Sequence, residues 1–254
     1  TISSDIVTGP RKRVEQYRDR LQTFIDKSIT YAYTKYLRKY VPTMARLSYN
    51  GVIINKHRKL FDFLNLTGGG WKPYEHNPHY EGAINNCLRR HAKYGDNVVI
   101  VGGGLGTSTV IAARQVGDAG SVTIFEGSEE MVYNVRSAAR MNDVADIVDV
   151  RHAVVSEAVS VRGESSCSTI IKPDELPDCD VLELDCEGAE ISILNEMIVR
   201  PRAIIVETHG MHDAPTAAVK ETLTDIEYSI ESEEPAEQWQ PAERFCEENG
   251  IDVL

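Results

Sequence analysis

The chain has no paired-cysteine pattern. Cys87, Cys167, Cys179, Cys186 and Cys246 are odd in number, scattered, and form no C-x-x-C pair. That argues against a disulfide framework and a structural zinc site, and it suits a reducing compartment. No apolar run approaches the length of a membrane-spanning helix. No signal-peptide pattern stands at the N-terminus, so a cytoplasmic location is expected. No internal repeat and no low-complexity tract is visible.

Basic charge is scarce beyond residue 95. Residues 1–95 carry 17 Lys and Arg against 7 Asp and Glu, and the remainder carries 10 against 32. An acidic body argues against nucleic acid as a partner, because phosphate neutralisation needs cations near the site. It also suits a high-salt setting. The basic N-terminal part is read as a solvated helix face or as a surface for an anionic membrane, an anionic substrate or a second subunit. A homo-oligomer formed through this extension and a peripheral contact with an anionic membrane surface are the partners expected of it.

What is present is ample apolar material, 42% of 254 residues, enough for one large domain with an extension. The stretch from Asn97 to Gly106 organises the rest. Val98, Val99, Ile100 and Val101 run unalternated into Gly102-Gly103-Gly104-Leu105-Gly106, and Thr107 to Val116 then reads as a helix. An unalternated β-branched run predicts a strand buried on both faces of a parallel sheet. Glycines allow a tight turn and a close backbone approach to a ligand, and the helix start offers free N–H groups.

The glycine spacing discriminates between cofactors. A dinucleotide fingerprint needs glycine or alanine at 107, where Thr107 stands, and no phosphate-gripping Lys follows the turn. The next strand, Ser121 to Phe125, ends in Glu126, where a carboxylate can accept both hydroxyls of a ribose. This combination favours a nucleoside without a pyrophosphate, above all S-adenosylmethionine.

Elsewhere, Arg11 to Tyr40 has helical periodicity, with Pro42 ending it. Asn50-Gly51 is a turn signal before a strand at 52–55. Residues 64–80 read as a loop whose His76 and His79 lack metal-ligand spacing. A helix is expected over 81–93. Strands follow at 98–101, 122–125, 148–154, 181–184 and 203–206, with helices at 107–116, 129–141, 189–198 and 214–224. Residues 156–168 read as a hairpin or flap. Further strands are expected at 228–230 and 251–254. Such alternation predicts a doubly wound sheet with its ligand at the carboxyl ends of the strands.

Two strand ends carry acids. Leu184-Asp185-Cys186-Glu187-Gly188-Ala189-Glu190 follows one strand, and Glu207-Thr208-His209 follows the next. Asp185, Glu187, Glu190, Glu207 and His209 can converge on one pocket. His209 is a candidate base because its unperturbed pKa lies near neutrality, and Asp185 or Glu187 serves if desolvated. The alternative is Mg²⁺ or Mn²⁺ held by Asp185, Glu187, Glu207 and His209. The reading without a metal is preferred, because carboxylates at strand ends commonly cap helices and Glu190 sits where a helix dipole favours it.

With these segments in order, the sequence resembles the FkbM family of S-adenosylmethionine-dependent methyltransferases. Residues 184–190 look like that family's D-x-E-G-A-E signature. The Gly102 to Gly106 turn, Phe125-Glu126, Ala153-Val154-Val155-Ser156 and Glu207-x-His209 support the likeness over about residues 80–254. The resemblance implies a class I methyltransferase sheet, Rossmann-like and doubly wound, preceded by a mainly helical extension over 1–79. It implies an O-methyltransferase acting on a hydroxyl of a glycan or other small acceptor. By the same analogy Gly102, Gly103, Gly104 and Gly106 line the methionine side of the cofactor, Glu126 holds the ribose, and Ala153 lies near the adenine. Tyr80 and Glu81 close over the methionine end, and Asp185 and Glu187 face the transfer site with His209. One position departs from the pattern: the family usually has an Asp where Ile100 stands. Either Glu81 or Asp185 supplies the missing carboxylate, or the domain is a catalytically degenerate relative serving as a binding or assembly module.

Overall fold

The computed structural model describes residues 46–55, 74–156, 169–210, 214–238 and 242–254. The helix expected over 11–40, the loop at 64–73 and the flap at 157–168 lie outside the described residues. The first described strands, β1 (Arg46–Tyr49), β2 (Val52–Asn55) and β3 (Tyr74–Asn77), form a small sheet in the order β2-β1-β3. Asn50 and Gly51 turn β1 into β2 with positive φ of 53° and 79°, as the Asn-Gly pair predicts. β3 is a correction: the punctuated stretch read as loop pairs in parallel with β1. The described residues at 46–55 and from 74 onward make up one unit. β1, β2 and β3 all fall within residues 1–79, where the sequence reading expects one strand, at 52–55.

Asn142 joins this sheet to the rest. Its Nδ2 donates to the Ile53 carbonyl at 2.8 Å and its Oδ1 accepts from the Ile53 N–H at 3.1 Å. Asn55 Nδ2 donates to Ser137 Oγ at 2.8 Å.

Helix α1 (Gly82–His91) buries Ala83, Ile84, Cys87 and Leu88. Then come β4 (Asn97–Val101), α2 (Thr107–Val116), β5 (Ser121–Glu126), α3 (Glu129–Met141) and β6 (Val148–His152). Ser128 caps α3, its Oγ accepting from the Met131 N–H at 3.5 Å, and Glu129 and Glu130 occupy the first turn, where the dipole favours acids. The strand expected over 148–154 is two: β6 stops at His152, and β7 (Val154–Val155) pairs instead with β8 (Ile170–Ile171). The chain continues through β9 (Val181–Leu184), α4 (Glu190–Glu196), β10 (Ala203–Val206) and α5 (Thr216–Asp225).

The main sheet runs β10-β9-β4-β5-β6, every neighbouring pair parallel. It is a doubly wound, Rossmann-like sheet. Val98 to Val101 are all buried, as an unalternated run requires. On one face Val99, Val101, Leu182 and Leu184 pack against Ile193 and Leu194 of α4 and Val219 and Leu223 of α5. By strand alternation Ile100 and Glu183, paired in register across β4 and β9, share the other face.

The last elements are β11 (Glu234–Pro235), α6 (Ala242–Asn249) and β12 (Asp252–Val253), with β11 and β12 antiparallel. Residues 228–230 form no strand. The edge beside β10 is taken by Leu254, which exchanges both backbone hydrogen bonds with Val206, at 3.0 and 3.1 Å. Tyr228 instead donates its hydroxyl to the Pro201 carbonyl at 2.6 Å. No helix among the described residues is long and apolar enough to cross a membrane.

Candidate active site

The strand order turns back at β4: the chain moves outward to β5 and β6, then crosses to β9 and β10. Such a switch point leaves a crevice beyond the carboxyl ends of the strands. The glycine turn fills its floor. Gly102 has φ +99° and sits so close to β9 that a Cβ would meet the Asp185 carbonyl oxygen at 1.8 Å. A Cβ on Gly103 would meet Val135 and Ile124 side chains at 2.7 and 2.9 Å, whereas Gly104 faces open space. The turn is therefore dictated by packing beneath it and leaves its upper surface bare.

Glu126 holds that turn from the side. Its Oε2 accepts from the N–H groups of Gly103 and Gly104 at 2.9 and 3.2 Å, and its Oε1 accepts from the Ser128 N–H at 2.8 Å. Burial pushes the Glu126 carboxyl above its ordinary pKa, and these three N–H groups partly offset that. Part of its accepting capacity is thus spent on its own backbone, which its sequence position does not reveal.

An open cleft with roughly 580 Å³ of empty space, adjoining solvent included, lies over this floor. Of the residues singled out in the sequence, Gly102, Gly104, Glu126, Ala153, Asp185 and Glu187 line it. Phe125 and Met131 add apolar wall. Gly103 and Gly106 lie beneath the surface, both buried. Tyr80 and Glu81 are not brought to this cleft. Tyr80 packs its ring on Tyr49, with centroids 4.6 Å apart, and Glu81 precedes α1 in left-handed backbone with φ +48°.

Behind the cleft the two acidic strand ends meet. Glu187 takes φ +53° and Gly188 φ +117°, a tight turn after β9. Glu190, fully buried, closes it by accepting from the Cys186 N–H at 3.2 Å and the Gly188 N–H at 2.8 Å. Its Oε1 also lies 2.9 Å from His209 Nδ1. His209 is held in place by paired backbone hydrogen bonds with Ala214 at 2.8 and 3.3 Å. The other ring nitrogen, Nε2, lies 3.5 Å from both Asp185 Oδ1 and Glu207 Oε1.

Burial alone would lower the His209 pKa, but Glu190 and Asp185 outweigh it and the net shift is upward. Burial alone would raise Glu190, but His209 outweighs it and the net shift is downward. Both directions favour the charged form of each partner, imidazolium beside carboxylate. Asp185, Glu207 and His209 each present an atom within 4.8 Å of the others, a spacing at which they can hold a divalent cation as well as share a proton on the histidine. Asp185 belongs to both places: it lines the cleft and faces the buried histidine.

The structure also places a group that sequence reading passed over. Glu183, on β9, is 1% exposed and in register with Ile100. In sequence it is one polar residue inside Val-Leu-Glu-Leu, and only the pairing with β4 shows where it sits.

The comparisons with known proteins concern architecture. No protein-family model matches the chain, and no curated protein matches it. Solved structures do. One is a SAM-dependent O-methyltransferase from Thermotoga maritima, 17% identical over 68% of this chain and 57% of that one, with a TM-score of 0.41. Another is a SAM-dependent methyltransferase from Aquifex aeolicus, 18% identical over 59% of this chain and 82% of that one, TM-score 0.40. A third is the O-methyltransferase from Bacillus cereus in complex with SAH, 15% identical over 56% of this chain and 64% of that one, TM-score 0.37. The chain thus spans less than two thirds of the first and third of these. The strand order described above stands on its own pairing.

Proposed function

We propose that the protein is an S-adenosylmethionine-dependent O-methyltransferase of the FkbM kind, acting on a hydroxyl of a glycan or other small acceptor. The observation that carries the proposal is the double placement of Asp185, which lines the cleft above the glycine turn and faces the buried His209–Glu190 pair. The residues fit the cofactor. Gly104 leaves bare space above the turn, Ala153 and Met131 give apolar wall for a nucleobase, and Glu126 Oε1 keeps accepting capacity beyond its bond to Ser128. The bound cofactor supplies an activated methyl group.

The chain's own residues do the rest. The cleft aligns the acceptor, and the carboxylates of Asp185 and Glu187 hold its hydroxyl in place. Asp185 and His209 take up the hydroxyl proton, and Glu190 positions His209 through Nδ1, as the orienting carboxylate does in hydrolase triads. His209 accepts a proton only once it has released the one its carboxylates hold there, so turnover rises on the alkaline side of its raised pKa.

The reading extends to partners. The basic residues 1–79 form a homo-oligomer contact or dock on an anionic membrane surface, and the enzyme works in the cytoplasm. A second reading rests on Ile100, fully buried where the family that the sequence resembles usually has an Asp: a degenerate fold that binds without catalysing.

Calorimetric titration with S-adenosylhomocysteine, followed by methyl transfer to a panel of hydroxylated acceptors, tests this. Micromolar binding with transfer to a saccharide hydroxyl is the expected result. Binding without transfer to any acceptor favours the second reading, and no binding by the folded protein removes both.

A further inference from the structure

Glu183 is a carboxyl group in an unusual position. It is 1% exposed, on the central parallel sheet, and its Oε2 has no hydrogen-bond partner. Among the described residues it is the only carboxylate whose buried oxygen is left so. The Ser108 side chain, in the first turn of α2, hydrogen-bonds the same carboxyl group. Burial first, and then the nearby charges of Asp185 and Glu81, raise the Glu183 pKa well above the ordinary range. The carboxyl groups of Asp185 and Glu81 are thus near enough to be felt at Glu183, which stands one residue before the end of β9.

An orphaned buried acceptor destabilises the fold, and more so when charged. Such a cost persists where a ligand removes it. The ligand that fits must be cationic, to suit three acids, and must bring several donors, to reach separate oxygens. A primary ammonium has three donors on a compact centre. The region also adjoins the glycine turn, since Gly102 touches Asp185.

We propose that Glu183, together with Asp185 and Glu81, forms the site for the α-ammonium of the amino-acid end of the nucleoside cofactor. This rests on the cofactor reading above. It assigns the acid to β9 and not to β4: Ile100 is apolar, and the carboxylate enters from the residue paired with it on the adjacent strand. Of the three acids Asp185 lines the main cleft, and Glu183 and Glu81 stand behind it. Glu183 is a binding residue and takes no part in moving a proton from the acceptor.

The test is calorimetric binding of three probes to the full chain: S-adenosylhomocysteine, its analogue with the α-ammonium replaced by hydrogen, and 5′-methylthioadenosine, which lacks the amino-acid end. A charge-assisted hydrogen bond predicts that wild type binds S-adenosylhomocysteine about tenfold to a hundredfold more tightly than the desamino analogue. Glu183→Gln should abolish that preference while leaving 5′-methylthioadenosine affinity unchanged. A structural role would weaken all three probes together, and that result overturns the proposal. So does a wild type that does not distinguish the first two probes, a comparison that needs no variant to fold. Failure of wild type to bind any probe overturns the cofactor reading as well. Binding of S-adenosylhomocysteine unaffected by Glu183→Gln overturns this inference alone.

Discussion

His209 Nδ1 and Glu190 Oε1 lie 2.9 Å apart, with Glu190 fully buried. The contact fixes which ring nitrogen faces inward. Nδ1 donates to Glu190, so Nε2 is the nitrogen turned toward Asp185 and Glu207. It also ties the two acidic strand ends together, because Glu190 simultaneously caps the turn that carries Cys186 and Gly188.

Removing that carboxylate separates charge from packing. Glu190→Gln should lower the His209 pKa, and nuclear magnetic resonance titration of the imidazole Cε1 proton will read the shift directly. Glu190→Ala leaves a buried imidazolium and two backbone N–H groups without their acceptor, and should cost about 3–5 kcal/mol of stability in urea unfolding. An unchanged His209 titration in Glu190→Gln would refute the ion pair.

Stability should depend on pH through the same pair. The His209 pKa is raised in the folded protein, so its contribution is fully present below the ordinary value of 6.5 and is lost as pH rises through the folded value. Glu190 is depressed, so its contribution is present above the ordinary 4.5 and is lost as pH falls through its folded value. Melting temperatures of wild type and His209→Asn, measured from pH 5 to 9, should converge as pH rises. A gap that widens toward alkaline pH would contradict the assignment.

The glycines of the turn should not be equivalent. At Gly102 an added methyl would overlap the Asp185 carbonyl at 1.8 Å in a backbone of φ +99°. Gly102→Ala should therefore fail to give folded protein. At Gly104 space is open and only the left-handed backbone, φ +49°, resists. Gly104→Ala should fold with a loss of about 1–2 kcal/mol and bind S-adenosylhomocysteine more weakly, because its methyl enters the cleft. Circular dichroism and calorimetry on the two variants distinguish these outcomes.

Glu126 carries two duties, and one substitution exposes both. Glu126→Ala orphans the N–H groups of Gly103, Gly104 and Ser128, at a cost on the order of 3 kcal/mol. Glu126→Gln keeps one accepting oxygen and should lose less. If thermal stability is unchanged in Glu126→Ala, the hydrogen bonds to the turn are not formed in solution.

The legible parts of the fold are those where local pattern and tertiary role agree. Val98 to Val101 is apolar, β-branched and followed by glycine, and no other structure satisfies all three features. The helices at Thr107 and Glu129 announce themselves by their starts. The small sheet was partly hidden because Tyr74-Glu75-His76-Asn77 has almost no apolar residue, and its strand character comes from pairing with β1. Tyr228 to Ile230 carries a strand-like composition but finds its would-be place beside β10 held by Leu254. At the site, Asp185, Glu187, Glu190 and His209 were readable because they cluster at strand ends. Glu183 was not, since its meaning depends on the register between two strands far apart in the chain.

That register has a kinetic consequence. Asn97 and Asp180, whose hydrogen bond joins the starts of β4 and β9, are 83 positions apart. Closing so long a loop is entropically costly before any contact rewards it, and parallel pairings of this kind form slowly. The glycine turn meets Asp185 only through this pairing, so the local unit of β4, α2 and β5 carries half a site. Any chain in which β9 has not docked on β4 therefore lacks the approach of Gly102 to Asp185 that shapes the floor of the cleft.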